Sequence, residues 1–93
     1  MNKKIRVHLF ISGRVQGVFF RENSRRKAEK LEVNGWVKNL DDSRVEIILE
    51  GDEEEVKKII RWTKKGPIFA KVDKVEIKEE EYKDEFKDFK IKY

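Results

Sequence analysis

Residues 35–50 read GWVKNLDDSRVEIILE, and their patterning decides the fold class. Val45, Ile47 and Leu49 alternate with Glu46, Ile48 and Glu50. A period of two is the mark of a strand with one face turned to a core. Gly35 to Leu40 reads as a shorter strand with Trp36 and Val37 as its apolar content. Between them Asp41-Asp42-Ser43 is a turn signal, because these short polar side chains bond their own backbone. The two strands therefore form a hairpin, and what flanks the hairpin determines the architecture.

A helix is expected on each side. Downstream, Asp52 and Glu55 have capping-box spacing, in which the first carboxylate accepts from the helix backbone and the second reaches back. Val56, Ile59, Ile60 and Thr63 keep helical spacing, Lys64 and Lys65 suit the helix C-terminal dipole, and Gly66-Pro67 stops the helix. Upstream, Phe20, Ser24, Ala28 and Leu31 recur every three or four positions, which predicts a helix over 21–32 that stops near Asn34-Gly35. Ile5, Val7, Leu9 and Ile11 alternate with polar or aromatic neighbours, a strand over 4–12. Val75 and Ile77 mark a fourth strand, and Phe89, Ile91 and Tyr93 a fifth. The order is βαββαβ plus a terminal strand. With right-handed crossovers this gives an α+β fold, the ferredoxin-like α/β sandwich. The expected form is an antiparallel sheet of four to five strands with two helices on one face. A chain of 93 residues holds this as a single domain over 1–93.

Composition narrows the chemistry. There is no Cys and one His, which excludes disulfides, zinc–thiolate and iron–sulfur sites, a thiol nucleophile and a His-rich metal site. Charged residues make up 45% of the chain, against roughly 25% in ordinary globular proteins. Interleaved Lys and Glu on this scale resemble the ion-pair surfaces of heat-adapted proteins, so thermostability is expected. No apolar run approaches the roughly 20 residues that cross a bilayer. Met1 is followed by Lys3 and Lys4, and charge returns at Arg6 before a secretory core forms. A soluble, cytoplasmic protein is expected, with no membrane partner.

Two segments carry candidate chemistry. Gly13-Arg14-Val15-Gln16-Gly17-Val18-Phe19-Phe20-Arg21 joins the first strand to the first helix. Helix N-termini offer unpaired N–H groups and a positive dipole end to anions, and glycine lets backbone curl close to them. Arg21 falls at the helix start, where its guanidinium could grip two phosphate oxygens. Residues 1–45 carry 11 basic and 5 acidic side chains, against 12 and 14 over 46–93, so the basic excess lies with the loop. Two glycines four apart and one Arg are common, so spacing alone favours a plain connection with two turn glycines. The loop also lacks the Gly-Lys-Ser/Thr ending of a nucleotide P-loop and the full GxGxxG of a dinucleotide site. The second candidate is Asn39, near a strand end. Its carboxamide could hold a water in a fixed direction, or it could simply favour the bend. His8, the acidic runs 53–55 and 79–81, Trp36 and Trp62 read as structural or solvated groups, and no serine has a nucleophile-elbow context.

Together the two segments resemble the acylphosphatase family. Ile11-Ser12-Gly13-Arg14-Val15-Gln16-Gly17-Val18-Phe19-Phe20-Arg21 matches its first signature at every defining position. Gly35-Trp36-Val37-Lys38-Asn39, followed by Val45 and Gly51, matches the second. The spacing between them and the chain length fit as well. The resemblance implies hydrolysis of a carboxyl–phosphate anhydride to a carboxylate and inorganic phosphate. Arg21 matches the arginine that binds the phosphate, with backbone N–H groups of Gln16, Gly17, Val18, Phe19 and Phe20, and Asn39 matches the asparagine that orients the attacking water. No metal, no cofactor and no covalent intermediate are implied. The expected partner is a small-molecule acyl phosphate, with phosphate or sulfate as competing anions, and the expected state is a monomer.

Two positions depart from the family pattern. Asp42-Ser43 replaces the usual Asp-Gly turn, so Ser43 should bear strain or change the turn type. Leu31-Glu32-Val33 replaces Leu-Gly-Leu, so the first helix should end differently. Two other readings compete. One is an RNA-binding sheet, for which the Lys/Arg-Gly-Phe-Gly-Phe signature is missing, so no nucleic-acid partner is expected. The other is a phosphate- or carbamoyl-phosphate-binding accessory domain of the kind fused to larger maturation enzymes.

Overall fold

The computed structural model describes residues 3–93. The element order is β1 (Lys4–Arg14), α1 (Phe20–Lys30), β2 (Asn34–Asn39), β3 (Val45–Asp52), α2 (Glu53–Thr63), β4 (Lys71–Glu80) and β5 (Phe89–Lys92). One five-stranded sheet has the order β4-β1-β3-β2-β5. The hairpin β2–β3 lies in it as expected, with Trp36 opposite Ile48 and Asn39 opposite Val45. β3 pairs with β1, and β1 with β4, all antiparallel.

The fifth strand corrects the expected antiparallel sheet: β5 pairs with β2 in parallel, so the sheet is mixed. Topology requires this. Chain leaving edge strand β4 crosses the sheet end through residues 81–88 and must reverse to form the other edge. It then runs opposite to β4 and hence along β2. The crossing is held by Glu50, whose carboxylate accepts from the N–H groups of Lys83 and Glu85, at 2.9 Å each. Asn34 Nδ2 donates to the Phe86 carbonyl, and Gly35 N–H to that of Asp88.

Both helices cover one face. Val7, Leu9 and Ile11 of β1, Val37 of β2, and Val45, Ile47 and Leu49 of β3 supply the sheet side of the core. Phe20 and Ala28 enter from α1, Val56 and Ile59 from α2, and Phe89 from β5. Each fully buried aliphatic side chain contributes about 1.5–3 kcal/mol relative to exposure, so the 3.6-residue and two-residue periods seen in the sequence are the periods of this burial.

The helix ends differ from expectation in detail. Asp52 is the N-cap of α2, but its side chain makes no cap hydrogen bond, so no capping box forms. Lys4 of the neighbouring strand competes for it, with Nζ 2.7 Å from Asp52 Oδ1, and Glu55 pairs with Lys58 instead of reaching back. α1 closes earlier than Asn34-Gly35. Val33 N–H bonds the Ala28 carbonyl and Glu32 N–H that of Glu29, the paired 6→1 and 5→2 bonds of a Schellman closure. Glu32 takes the left-handed position, at φ 57°. The departure from Leu-Gly-Leu thus keeps the usual closure and places a glutamate where glycine is favoured. Ser43 likewise sits at φ 80°, the strain expected of it.

Candidate active site

The site is built where β1 gives way to α1. The β1–β4 register shifts between Ser12 and Gly13, a bulge that turns the chain out of the sheet. Gly13 has φ 122°, and a Cβ there would lie 2.2 Å from the Lys71 carbonyl oxygen, so only glycine fits. Val15 and Val18 are buried and pin the loop to the core, while Gly17 between them and Phe19 after them face outward. Gly17 (φ 73°) and Phe19 (φ 66°) are both left-handed. A bulky residue there costs on the order of 1–2 kcal/mol. Asn23 holds the distortion by donating to the Phe19 carbonyl through its backbone N–H (3.1 Å) and Nδ2 (2.8 Å). Phe20, the first residue of α1, packs its ring against Trp62 at 5.2 Å.

This geometry leaves donors in excess. Among the described residues no carbonyl or side chain accepts from the backbone N–H groups of Gln16 to Phe20. Consecutive amides in alternating handedness at a helix N-terminus form an anion-binding concavity. A cleft of about 260 Å³ opens beside it, lined by Val15, Gly17, Phe19, Phe20, Arg21 and Glu22, with Asn39, Ile91 and Tyr93 opposite.

Arg21 is distinguished by its electrostatics. Of the three arginines of α1, Arg25 pairs with Glu22 and Glu29, and Arg26 pairs with Glu22. The hydrogen bond from Arg25 holds the Glu22 carboxyl below its ordinary range. Among the described residues no carboxylate lies within ion-pair distance of Arg21. Its guanidinium instead lies 5.0 Å from the Tyr93 ring centroid, a contact that orients the charge without neutralising it.

Asn39 ends β2 on the helix-covered side and lines the same cleft. Its Oδ1 is buried and accepts no hydrogen bond. An unsatisfied buried acceptor costs about 1–3 kcal/mol, and such groups concentrate where a ligand or water completes them.

Arg21, Asn39, Gly17, Phe19 and Phe20 thus line one cleft. Gln16 and Val18 do not line it. Val18 is core, and the Gln16 side chain points to the hairpin turn, donating through Nε2 to the carbonyls of Leu40 (2.8 Å) and Arg44 (3.0 Å). Only their backbone N–H groups belong to the concavity. Sequence reasoning missed Ile91 and Tyr93, which reach the cleft because β5 lies beside β2; no local signal announces that pairing. Among the described residues no group of three or more His, Asp or Glu side chains is arranged to hold a metal ion. His8 lies on the opposite sheet face, bridging Glu46 (2.5 Å) and Glu80 (3.0 Å).

The acylphosphatase family model matches residues 7–91. An acylphosphatase of Pyrobaculum islandicum is 50% identical over 90 residues, 96% of this chain and 95% of that protein. Among solved structures, an acylphosphatase from Coxiella burnetii superposes with a TM-score of 0.91 at 38% identity, covering 98% of this chain and 94% of the other. One from Bacillus subtilis also gives 0.91, at 37% identity, with 96% and 99% covered. Two signature segments meeting in one cleft, and relatives matched along nearly their whole length, lead to one conclusion: this chain belongs to the acylphosphatase family.

Proposed function

We propose that this chain hydrolyses the carboxyl–phosphate bond of acyl phosphates in the Arg21–Asn39 cleft. The observation that carries the reading is the combination of unpaired donors and one unpaired acceptor. The amides of residues 16–20 and the uncompensated Arg21 suit three phosphoryl oxygens, and the orphan Asn39 Oδ1 suits a water. In this reading Arg21 and the amides hold the phosphoryl group and stabilise its equatorial oxygens as charge redistributes. Asn39 Oδ1 accepts a hydrogen bond from the water and aims its lone pair at phosphorus. The new P–O bond forms as the bond to the carboxylate breaks, and a phosphoryl oxygen takes the water's proton. A carboxylate leaves readily, so positioning suffices without a strong nucleophile.

Benzoyl phosphate hydrolysis, measured with chelator at ordinary and elevated temperature, tests this. Asn39→Ala is expected to lower kcat about 100-fold or more with KM little changed. Arg21→Ala is expected to raise KM and lower kcat together, since the contact exists in ground and transition states. Asn39→Ala with near wild-type kcat, or Arg21→Ala with undiminished phosphate affinity, removes that residue from the mechanism. Phosphate and sulfate should inhibit competitively; noncompetitive inhibition would place anion binding outside the cleft. The reading extends to a cytoplasmic monomer and to thermostability, the last supported by the ion-pair chains on α1 and around Arg6. No helix is long and apolar enough to cross a membrane among the described residues.

A further inference from the structure

The sheet face away from the helices carries features that the cleft does not use. Strand register places Lys78, His8, Ile48, Trp36 and Lys90 in one row across it. The next row is Glu76, Phe10, Glu46, Lys38 and Lys92. No helix covers these rows, and their aromatic members form a continuous strip. The His8 and Phe10 rings stack at 4.6 Å and 29°, and Trp36 meets His8 edge-on at 6.3 Å. Phe10, His8 and Trp36 are all partly exposed.

Cations surround this strip. Arg44 and Lys78 lie 5.0 and 5.9 Å from the Phe10 centroid, and Lys92 and Lys38 lie 4.5 and 6.0 Å from that of Trp36. In the two rows, four lysines (Lys38, Lys78, Lys90 and Lys92) stand against Glu46 and Glu76, and Arg44 beside them pairs with Asp42. Of the two glutamates, Glu46 is already engaged by His8. We propose, against the expectation from the missing Gly-Phe signature, that this face binds single-stranded nucleic acid, with bases on Phe10 and Trp36 and phosphates on the flanking lysines. Sheets of this architecture that bind single-stranded RNA stack bases on aromatics of adjacent strands. The ammonium groups now resting on the rings sit on long, flexible stems, so they can swing to phosphate oxygens while bases take the ring faces. A duplex hides its base faces and cannot use the strip. The face lies across the sheet from the anion cleft, so the two sites are independent.

Binding of labelled twelve-residue oligodeoxythymidylate to the full chain, followed by fluorescence anisotropy, tests the proposal. An abasic twelve-mer and a twelve-pair duplex serve as competitors. Oligothymidylate should bind at 50 mM salt at least ten times more tightly than either competitor. About four displaced counterions at a slope near −0.7 each predict roughly 50-fold weakening between 50 and 200 mM salt. Lys78→Glu with Lys90→Glu should weaken binding at least tenfold and leave benzoyl phosphate hydrolysis within about twofold. Phe10→Leu should weaken oligothymidylate about tenfold and the abasic strand little, since stacking on one aromatic accounts for that much. Circular dichroism verifies that each variant is folded. Equal affinity for the abasic strand, full affinity in the double charge reversal, or displacement of the oligonucleotide by phosphate at cleft-saturating concentration would each overturn the proposal. So would the absence of oligonucleotide binding alongside capture on anionic phospholipid vesicles, which would make the face a lipid contact.

Discussion

Gln16→Ala isolates the link between the anion loop and the strand that carries Asn39. The Gln16 amide donates to the Leu40 and Arg44 carbonyls, on the two sides of the hairpin turn beside Asn39. Each carbonyl also accepts a backbone donor, Ser43 N–H at 3.2 Å for Leu40 and Leu40 N–H at 2.8 Å for Arg44. Truncation therefore strands no carbonyl and removes two net hydrogen bonds, about 1 kcal/mol each. A loss of about 2 kcal/mol lowers Tm by roughly 8–16 °C in a domain of this size. The concavity keeps its amides, so phosphate affinity and KM should stay within about threefold. The register between phosphoryl group and water is loosened, and a displacement near 1 Å costs up to 100-fold, so kcat should fall about 10- to 100-fold. Gln16→Glu keeps the shape without the donors and should fare no better at neutral pH. The assay is thermal unfolding by circular dichroism alongside benzoyl phosphate kinetics and phosphate inhibition. Wild-type Tm and kcat in Gln16→Ala would refute the tether, and lost phosphate affinity with preserved kcat would show that Gln16 serves the anion.

Glu32→Gly should raise stability by about 0.5–1 kcal/mol, because Gly relieves the left-handed strain at φ 57° by more than it adds to unfolded-chain entropy; Glu32→Ala, which keeps the Cβ, should bring no such gain in urea unfolding. Acid should destabilise the fold through Glu50. Burial pushes this carboxyl up, but the Lys83 and Glu85 N–H donors and the Arg6 charge more than offset it and hold it below the ordinary range. A depressed carboxyl stabilises the fold above its unfolded value and loses that contribution as pH falls through the folded value. Glu50→Gln should therefore cost about 2 kcal/mol near pH 7 and progressively less below pH of about 4; a cost independent of pH would deny the carboxylate this role.

Legibility in the sequence followed the range of the interaction. Strands and helices whose faces are set by local period, such as Val45–Leu49 and Val56–Thr63, were readable because burial repeats with the backbone. The 13–21 loop stood out because Gly13, Gly17 and Arg21 lie close together in sequence, but only the family resemblance separated an anion-binding loop from a plain connection. Long-range competition was not. Asp52 has the capping spacing, yet Lys4, distant in sequence and adjacent across the sheet, takes the side chain. Ile91 and Tyr93 reach the cleft through a parallel pairing that follows from the path of residues 81–88. The orphan Asn39 Oδ1 also depends on the three-dimensional surroundings, whereas the residue's identity stood out in the one-dimensional pattern. The aromatic strip needed the full register, since His8, Phe10 and Trp36 look scattered until β1, β3 and β2 lie side by side.

The order β4-β1-β3-β2-β5 leaves two sheet margins open, and they are guarded unequally. β5 is only four residues long, too short to template another chain well. β4 is ten residues long, but Lys71, Asp73, Lys74, Glu76, Lys78, Glu79 and Glu80 put charge along it, and nearly all of it is exposed. Charge of either sign along such a margin must be desolvated before another strand can pair there, which disfavours such pairing. Directly behind it lies β1, whose Val7, Leu9 and Ile11 are fully enclosed. A core strand is offered to another chain only after an edge strand detaches, β4 from β1 or the short β5 from β2, so those two seams together set how long the protein stays dispersed when heated.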